Sequence, residues 1–195
     1  MASTYVNNLR LNEMATGDGS GTWGTTTNTN LELIGEALGY GTEGITTNAD
    51  THSTTVADGS SDAGRAMFLK YTGALDSACT VTIGPNTMKR VQFIENATTG
   101  SQNLVISQGT GANITIPPGD VKVVYLDGAG SGAAVVNAFS DLNIGTSSGG
   151  ATVNGITSKT FGTSSIMIGD DATGTISNAN YNIGLGVDVF AALTT

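Results

Sequence analysis

Glycine, serine, threonine and asparagine make up nearly half of this 195-residue chain. That single fact limits what it can become. Leucine, isoleucine, valine and phenylalanine supply little more than a fifth of the residues, so any core is lean. Threonine is the commonest residue and good helix formers are scarce, which favours strands over helices. The formal charge is −9 with only 12% charged residues, too little self-repulsion to hold the chain open. A folded, all-β chain with one short N-terminal helix is the expectation.

The same composition excludes several functions. Seven scattered basic residues form no patch able to neutralise phosphates, so no nucleic-acid partner is expected. Apolar runs such as Val123-Val124-Tyr125-Leu126 are about four residues long, against about 20 for a membrane span, so no membrane insertion is expected. Met1 to Arg10 lacks the basic and apolar regions of an export signal. One cysteine allows no intramolecular disulfide.

Three regions follow one another. In residues 1–45, a glycine-rich turn, Gly17 to Gly24, carries the only tryptophan, Trp23. Thr29 and Glu32 have the spacing of a capping box, and Leu31, Ile34 and Leu38 fall on one helical face before Gly39. The spacing predicts a helix of about nine residues, too short to stand alone in water. Residues 46–142 read as strands at His52–Ala57, Arg65–Thr72, Ala78–Ile83, Lys89–Glu95, Asn103–Gln108, Asn113–Ile116, Val121–Asp127 and Ala133–Ala138. Turn chemistry separates them, as at Asp58-Gly59-Ser60 and Pro117-Pro118-Gly119-Asp120. Short strands at this spacing predict an antiparallel β-sandwich or barrel-like domain, with Val81 and Ile83, and Val91 and Phe93, on buried faces. Phe68 and Tyr125 are also expected in the core.

Residues 143–195 are Gly/Ser/Thr-rich and contain a repeat at an offset of 17: Ile166, Gly169 and Asp171 recur as Ile183, Gly186 and Asp188. Such rungs bury an apolar edge only when stacked or shared among chains, so this region reads as the start of a fibrous β-roll shaft. The repeat-like text running up to Thr195 reads as the N-terminal portion of a longer fibrous protein.

The segments Thr4-Tyr5-Val6-Asn7-Asn8-Leu9-Arg10-Leu11, Gly21-Thr22-Trp23-Gly24-Thr25 and Asp62-Ala63-Gly64-Arg65-Ala66 resemble the N-terminal region of phage tail-fibre-like proteins, particularly those infecting marine bacteria. The strand text from Ala78 to Val136 is similar to the β-domain that follows in such proteins. Asn182 to Thr195 is similar to phage fibre shafts and to the trimeric β-roll heads of bacterial adhesins. The resemblance implies a homotrimeric fibre in the virion, assembled in the bacterial host cytoplasm. It implies partners in a tail adaptor, nozzle or other virion protein, and a host surface receptor met through a distal region. The candidate docking residues are Trp23, Leu31, Ile34 and Leu38: a large ring beside glycines is either an interface anchor or a staple of the helix to its own domain. A trimeric bacterial surface adhesin and a glycan-binding β-module are the alternatives. Enzymatic chemistry and cofactors are not expected. His52 is the only histidine and has no apparent catalytic company, Cys79 falls in the apolar phase of a strand, and Asp170, Asp171 and Asp188 match no calcium loop.

Overall fold

The computed structural model describes residues 3–140 and, beyond them, the strand segments 151–153, 156–161, 165–168 and 183–185. The chain divides into two compact units, 1–140 and 141–195. The first contains one helix, α1 (Trp23–Ala37), and nine strands: β1 (Tyr40–Gly44), β2 (Thr51–Thr55), β3 (Phe68–Thr72), β4 (Cys79–Gly84), β5 (Arg90–Asn96), β6 (Leu104–Ser107), β7 (Ile114–Ile116), β8 (Val121–Leu126) and β9 (Val135–Asn137). The strands form two open sheets, in the orders β1-β3-β5-β8-β9 and β2-β4-β6-β7, so the unit is not a closed barrel.

The expected antiparallel arrangement is corrected in its first two thirds. Strands β1, β3 and β5 pair parallel, as do β2, β4 and β6. Only β7, β8 and β9 enter antiparallel. The turns at Asp58-Gly59-Ser60, Gly84-Pro85-Asn86 and Thr99-Gly100-Ser101 do not fold a strand back on its neighbour. They carry the chain between sheets, so successive strands of one sheet run the same way, three coils in succession. Tyr40 pairs with Phe68 and Phe68 with Phe93, one coil later each time. The corners stack too. The Ile45 N–H donates to Thr72 O (2.7 Å), and Leu75 N–H donates to Thr99 O (3.0 Å). Gly100 makes this last approach possible: its φ is +96°, and a Cβ there would lie 1.9 Å from Leu75 O.

Eight of these strands coincide with the eight read from the sequence. The ninth, β1, was not anticipated because Tyr-Gly-Thr-Glu-Gly has no apolar alternation. The core between the sheets gathers Leu69, Tyr71, Val81, Ile83, Ile94, Leu104, Ile106, Val124 and Leu126. Val81 and Ile83 point inward as expected. Strand β5 has the opposite phase: Gln92 is fully buried, whereas Val91 and Phe93 are 54% and 37% exposed. Phe68 and Tyr125 also lie on the outer side rather than in the core.

The inversion has a polar cause. Residues Ala63–Arg65 form a single 3-10 turn whose carbonyls point into the unit. Gln92 Nε2 donates to Gly64 O and Ala66 O, both at 2.9 Å. The Arg90 guanidinium donates to Arg65 O. Arg65 itself is fully buried and donates to Leu9 O, Ala57 O (2.6 Å), Ser60 O (2.9 Å) and Asp62 Oδ2 (3.1 Å). Buried carbonyls and charges need such partners. Burial, and the Arg65 guanidinium beside it, bring Arg90 down to about 10.

In the second unit, β10 (Ala151–Val153), β11 (Ile156–Phe161), β12 (Ser165–Ile168) and β13 (Ile183–Leu185) form one sheet in that order. Strands β12 and β13 pair parallel, Ile166 with Ile183 and Ile168 with Leu185. The offset is that of the 17-residue repeat.

Two outcomes follow for stability. Arg65→Met strands three backbone carbonyls and a carboxylate, and should cost about 3–5 kcal/mol in urea unfolding, the range for breaking a buried ion pair. Arg10→Ala, which loses a 2.6 Å pair to the half-exposed Asp58, should cost under about 1 kcal/mol. Equal losses would remove Arg65 from its central place. Second, Asp127 between β8 and β9 accepts from the N–H groups of Ala134 (2.9 Å) and Ala129 (3.0 Å), which hold its carboxyl below the ordinary carboxylate range. A carboxyl depressed on folding stabilises above its unfolded value, near about 4, and that stabilisation is lost as pH falls through the lower folded value. Melting temperature from about pH 5 downward should therefore fall less steeply in Asp127→Asn than in the parent; parallel curves would contradict it.

Candidate docking surface

Helix α1 begins seven residues earlier than the capping box suggested, so Thr29 and Glu32 lie inside it and cap nothing. Its start is set by the preceding turn, where the N–H groups of Thr22 and Trp23 both donate to Gly19 O at 2.8 Å. Three consecutive threonines, poor helix formers, are carried into the helix because its inner face has something to hold. Leu33 and Ala37 are buried, and the Asn30 carboxamide donates to Asn12 O (2.9 Å) and accepts from Asn12 N–H (3.0 Å). Gly39 follows the helix, its N–H on Glu36 O (2.9 Å).

This inner face leaves the other one free. At 100° per residue, Trp23, Leu31, Ile34 and Leu38 fall within about 80° of arc. The four are 65%, 61%, 36% and 69% exposed. The helix has no basic residue in its last turn and no acidic one in its first. The result is an apolar stripe along α1 and its C-cap Leu38, interrupted by Thr27 between Trp23 and Leu31 and bordered by Gly24 and Gly35 on one side and Asn30 on the other. An uncharged stripe with a tryptophan at one end can fill an apolar groove on a partner.

The other quoted segments hold the helix in place. Asn7 organises the strap before the helix, its Oδ1 accepting from Leu9 and Leu11 N–H and its Nδ2 donating to Leu11 O. Asn8 Oδ1 accepts from Lys89 N–H (2.9 Å), Arg10 pairs with Asp58, and Leu9 O meets Arg65. Glu36 on α1 approaches the same guanidinium, 4.0 Å from Arg65 Nε. Sequence reading missed this role for Arg65. The available signal was a lone arginine in an apolar and glycine context, in a chain with very few basic residues.

The remaining candidate groups are engaged structurally. His52 Nε2 lies 2.7 Å from Glu43 Oε1, partly buried, with its ring edge toward Tyr71 (centroids 6.1 Å apart). Cys79 is buried, and burial pushes its thiol up, away from thiolate reactivity. A cleft of about 480 Å³ lined by Arg10, Asp58, Gly84 and Pro85 has its two charges paired with each other. Asn96, in the sequon Asn96-Ala97-Thr98, is fully buried with its Nδ2 on Gln102 O and Ile116 O. Among the described residues, no three His, Cys, Asp or Glu side chains cluster as a metal site would need. None of the described helices is long and apolar enough to cross a membrane. Asp170, Asp171 and Asp188 lie outside the described residues.

Comparison with known proteins adds no relative: no family model, curated protein or solved structure matches the chain.

The two faces of α1 should separate in mutagenesis. Leu33→Ala empties a fully enclosed position and should cost about 2–5 kcal/mol. Trp23→Ala, on the exposed stripe, should stay within about 0.5 kcal/mol of the parent. A larger loss for Trp23 in thermal unfolding would make it part of the core.

Proposed function

We propose that this chain is a structural protein of a phage virion, the N-terminal part of a fibre, with a tail fibre the first choice. In this reading a homotrimer docks through the α1 stripe onto a tail adaptor, nozzle or other virion protein, and carries a distal region toward the host surface. The observation that carries the reading is the exposed stripe of Trp23, Leu31, Ile34 and Leu38 on a helix fixed from behind by Leu33, Ala37 and Asn30. A rigid element offering an apolar ridge loses little entropy on docking, which suits permanent attachment. Two further points support it. The strap and turn that hold the helix are the segments that resemble phage fibre N-termini. The parallel pairing of β12 with β13 at the repeat offset is what a β-roll shaft would use. The mechanism is mechanical and adhesive rather than catalytic.

The test is made in a phage that encodes the chain. Trp23→Ala combined with Leu31→Ser should leave the isolated protein's melting temperature and oligomeric state unchanged but sharply reduce its incorporation, read by quantitative mass spectrometry of purified particles. Normal incorporation would overturn the docking surface. Absence of the parent protein from purified virions, with label on the bacterial envelope, would overturn the virion reading and favour an adhesin.

A further inference from the structure

We infer that the outer face of the five-stranded sheet is where copies of this chain meet. The inference rests on the fibre reading for the number three, but its evidence is separate from the α1 stripe. Strands β1, β3, β5, β8 and β9 turn an apolar surface outward. Tyr40 stacks on Phe68 (centroids 5.5 Å apart, planes at 25°), and Phe68 stacks on Phe93 (6.3 Å, 11°). Beside this row Val91 pairs with Tyr125 and Tyr125 with Val136. Tyr40 is 61% exposed, Val91 54% and Tyr125 40%. A chain with eleven aromatic rings thus places four of them on one outward face. The opposite outer face, on the four-stranded sheet, presents Thr51, Ser53, Thr55, Thr80, Thr82 and Thr115 around a single aliphatic side chain, Val105. The fold is the same on both sides, so strand structure alone does not dictate the apolar one. Contiguous apolar faces of this kind mark association sites.

Charge identifies the occupant. The chain carries −9 overall, so copies repel each other across most of their surface. Within the strands the charged side chains on this outer face are Lys70 and Glu95, which pair with each other at 3.4 Å, and at its end Lys89 and Asp127 are again of opposite sign. The face is therefore neutral. A basic partner would be met by acidic groups and an acidic partner by basic ones; a balanced apolar face suits another acidic chain of the same kind. Geometry suits three copies. Three flat sheets facing one axis form the sides of a triangular prism, so one face per subunit meets both neighbours and the ring closes.

The test uses the full chain. Native mass spectrometry of the parent should give three chain masses. Val91→Asp should give one, with cooperative melting retained, while Thr82→Asp on the hydroxyl-lined face should still give three. Footprinting of the unaltered parent with hydroxyl radicals provides a readout independent of folding in variants: Tyr40 and Tyr125 should be protected and Trp23 labelled. A trimer that survives Val91→Asp, or free labelling of Tyr40 and Tyr125 within a trimer, overturns the assignment of this face and leaves the fibre reading standing. A parent that stays monomeric at every concentration overturns the trimeric fibre and this face together.

Discussion

A guanidinium with no solvent around it joins its own corner of the chain to the N-terminal strap and approaches the helix, both distant in sequence. Arg65 reaches Leu9 in the N-terminal strap, Ala57 and Ser60 in the corner after β2, and Asp62 in its own turn, with Glu36 of α1 at the edge of range. Moving such a charge out of water is expensive, and only this many acceptors offset the loss. The turn it belongs to presents its own carbonyls to Arg90 and Gln92, which ties β5 to the same point. A core poor in large aliphatic side chains is thus supplemented by a polar network with fixed geometry. Polar networks specify one arrangement more sharply than apolar packing does, because a slip of one residue leaves buried groups unpaired. That helps explain how so threonine- and glycine-rich a chain can hold one register.

Coiling is the second device. Because alternate strands go to opposite sheets, each coil adds one strand to each layer, and its corner stacks on the corner before. Small residues at the corners allow the approach, as Gly100 does over Leu75 O. Inward positions then need only modest apolar residues, stacked in columns such as Val81 on Ile106, and Leu69 on Ile94. Hydroxyl-bearing side chains cover the outer face of the second sheet. The composition that looked too lean for a core is sufficient when each coil buries a few side chains between two layers, as the second does with Leu69, Tyr71, Leu75, Cys79, Val81 and Ile83.

Strand positions were legible in the sequence because turn residues punctuate them and because β4 alternates cleanly. Pairing was not, since a turn of Asp-Gly-Ser type serves a corner between sheets as well as a hairpin within one. The helix was legible through Leu31, Ile34 and Leu38, although its start and its buried side were not. Their spacing marks one face of a helix without saying which face is buried, and the buried one is carried by Leu33, Ala37 and an asparagine. The same ambiguity reversed β5. A period of two identifies two faces, and Gln92 between Val91 and Phe93 reads as the wet side until the carbonyls of Gly64 and Ala66 are known to lie opposite it. Long-range polar partners leave no local trace, so Arg65, Gln92 and Asn96 were invisible as structural anchors.

The stripe on α1 and strand β5 both put apolar side chains into solvent, and in both a polar side chain beside them is engaged with backbone: Asn30 with Asn12, and Gln92 with Gly64 and Ala66. That combination has a physical meaning. If the stripe on α1 and the face of the five-stranded sheet were accidents of a poor core, the simplest relief would be to turn those side chains inward and the polar ones out. The buried asparagine, glutamine and arginine make that exchange costly, since each would leave carbonyls without donors. Full burial of a large apolar side chain is worth about 1.5–3 kcal/mol, a gain left unused while the surfaces stay open. A fold that commits polar groups to its interior while rings and aliphatic chains face outward leaves that gain unused in the single chain, and the proposed association is what would recover it. Two such surfaces on separate elements allow one contact to be made among copies and another with a different partner, without either competing for the same residues.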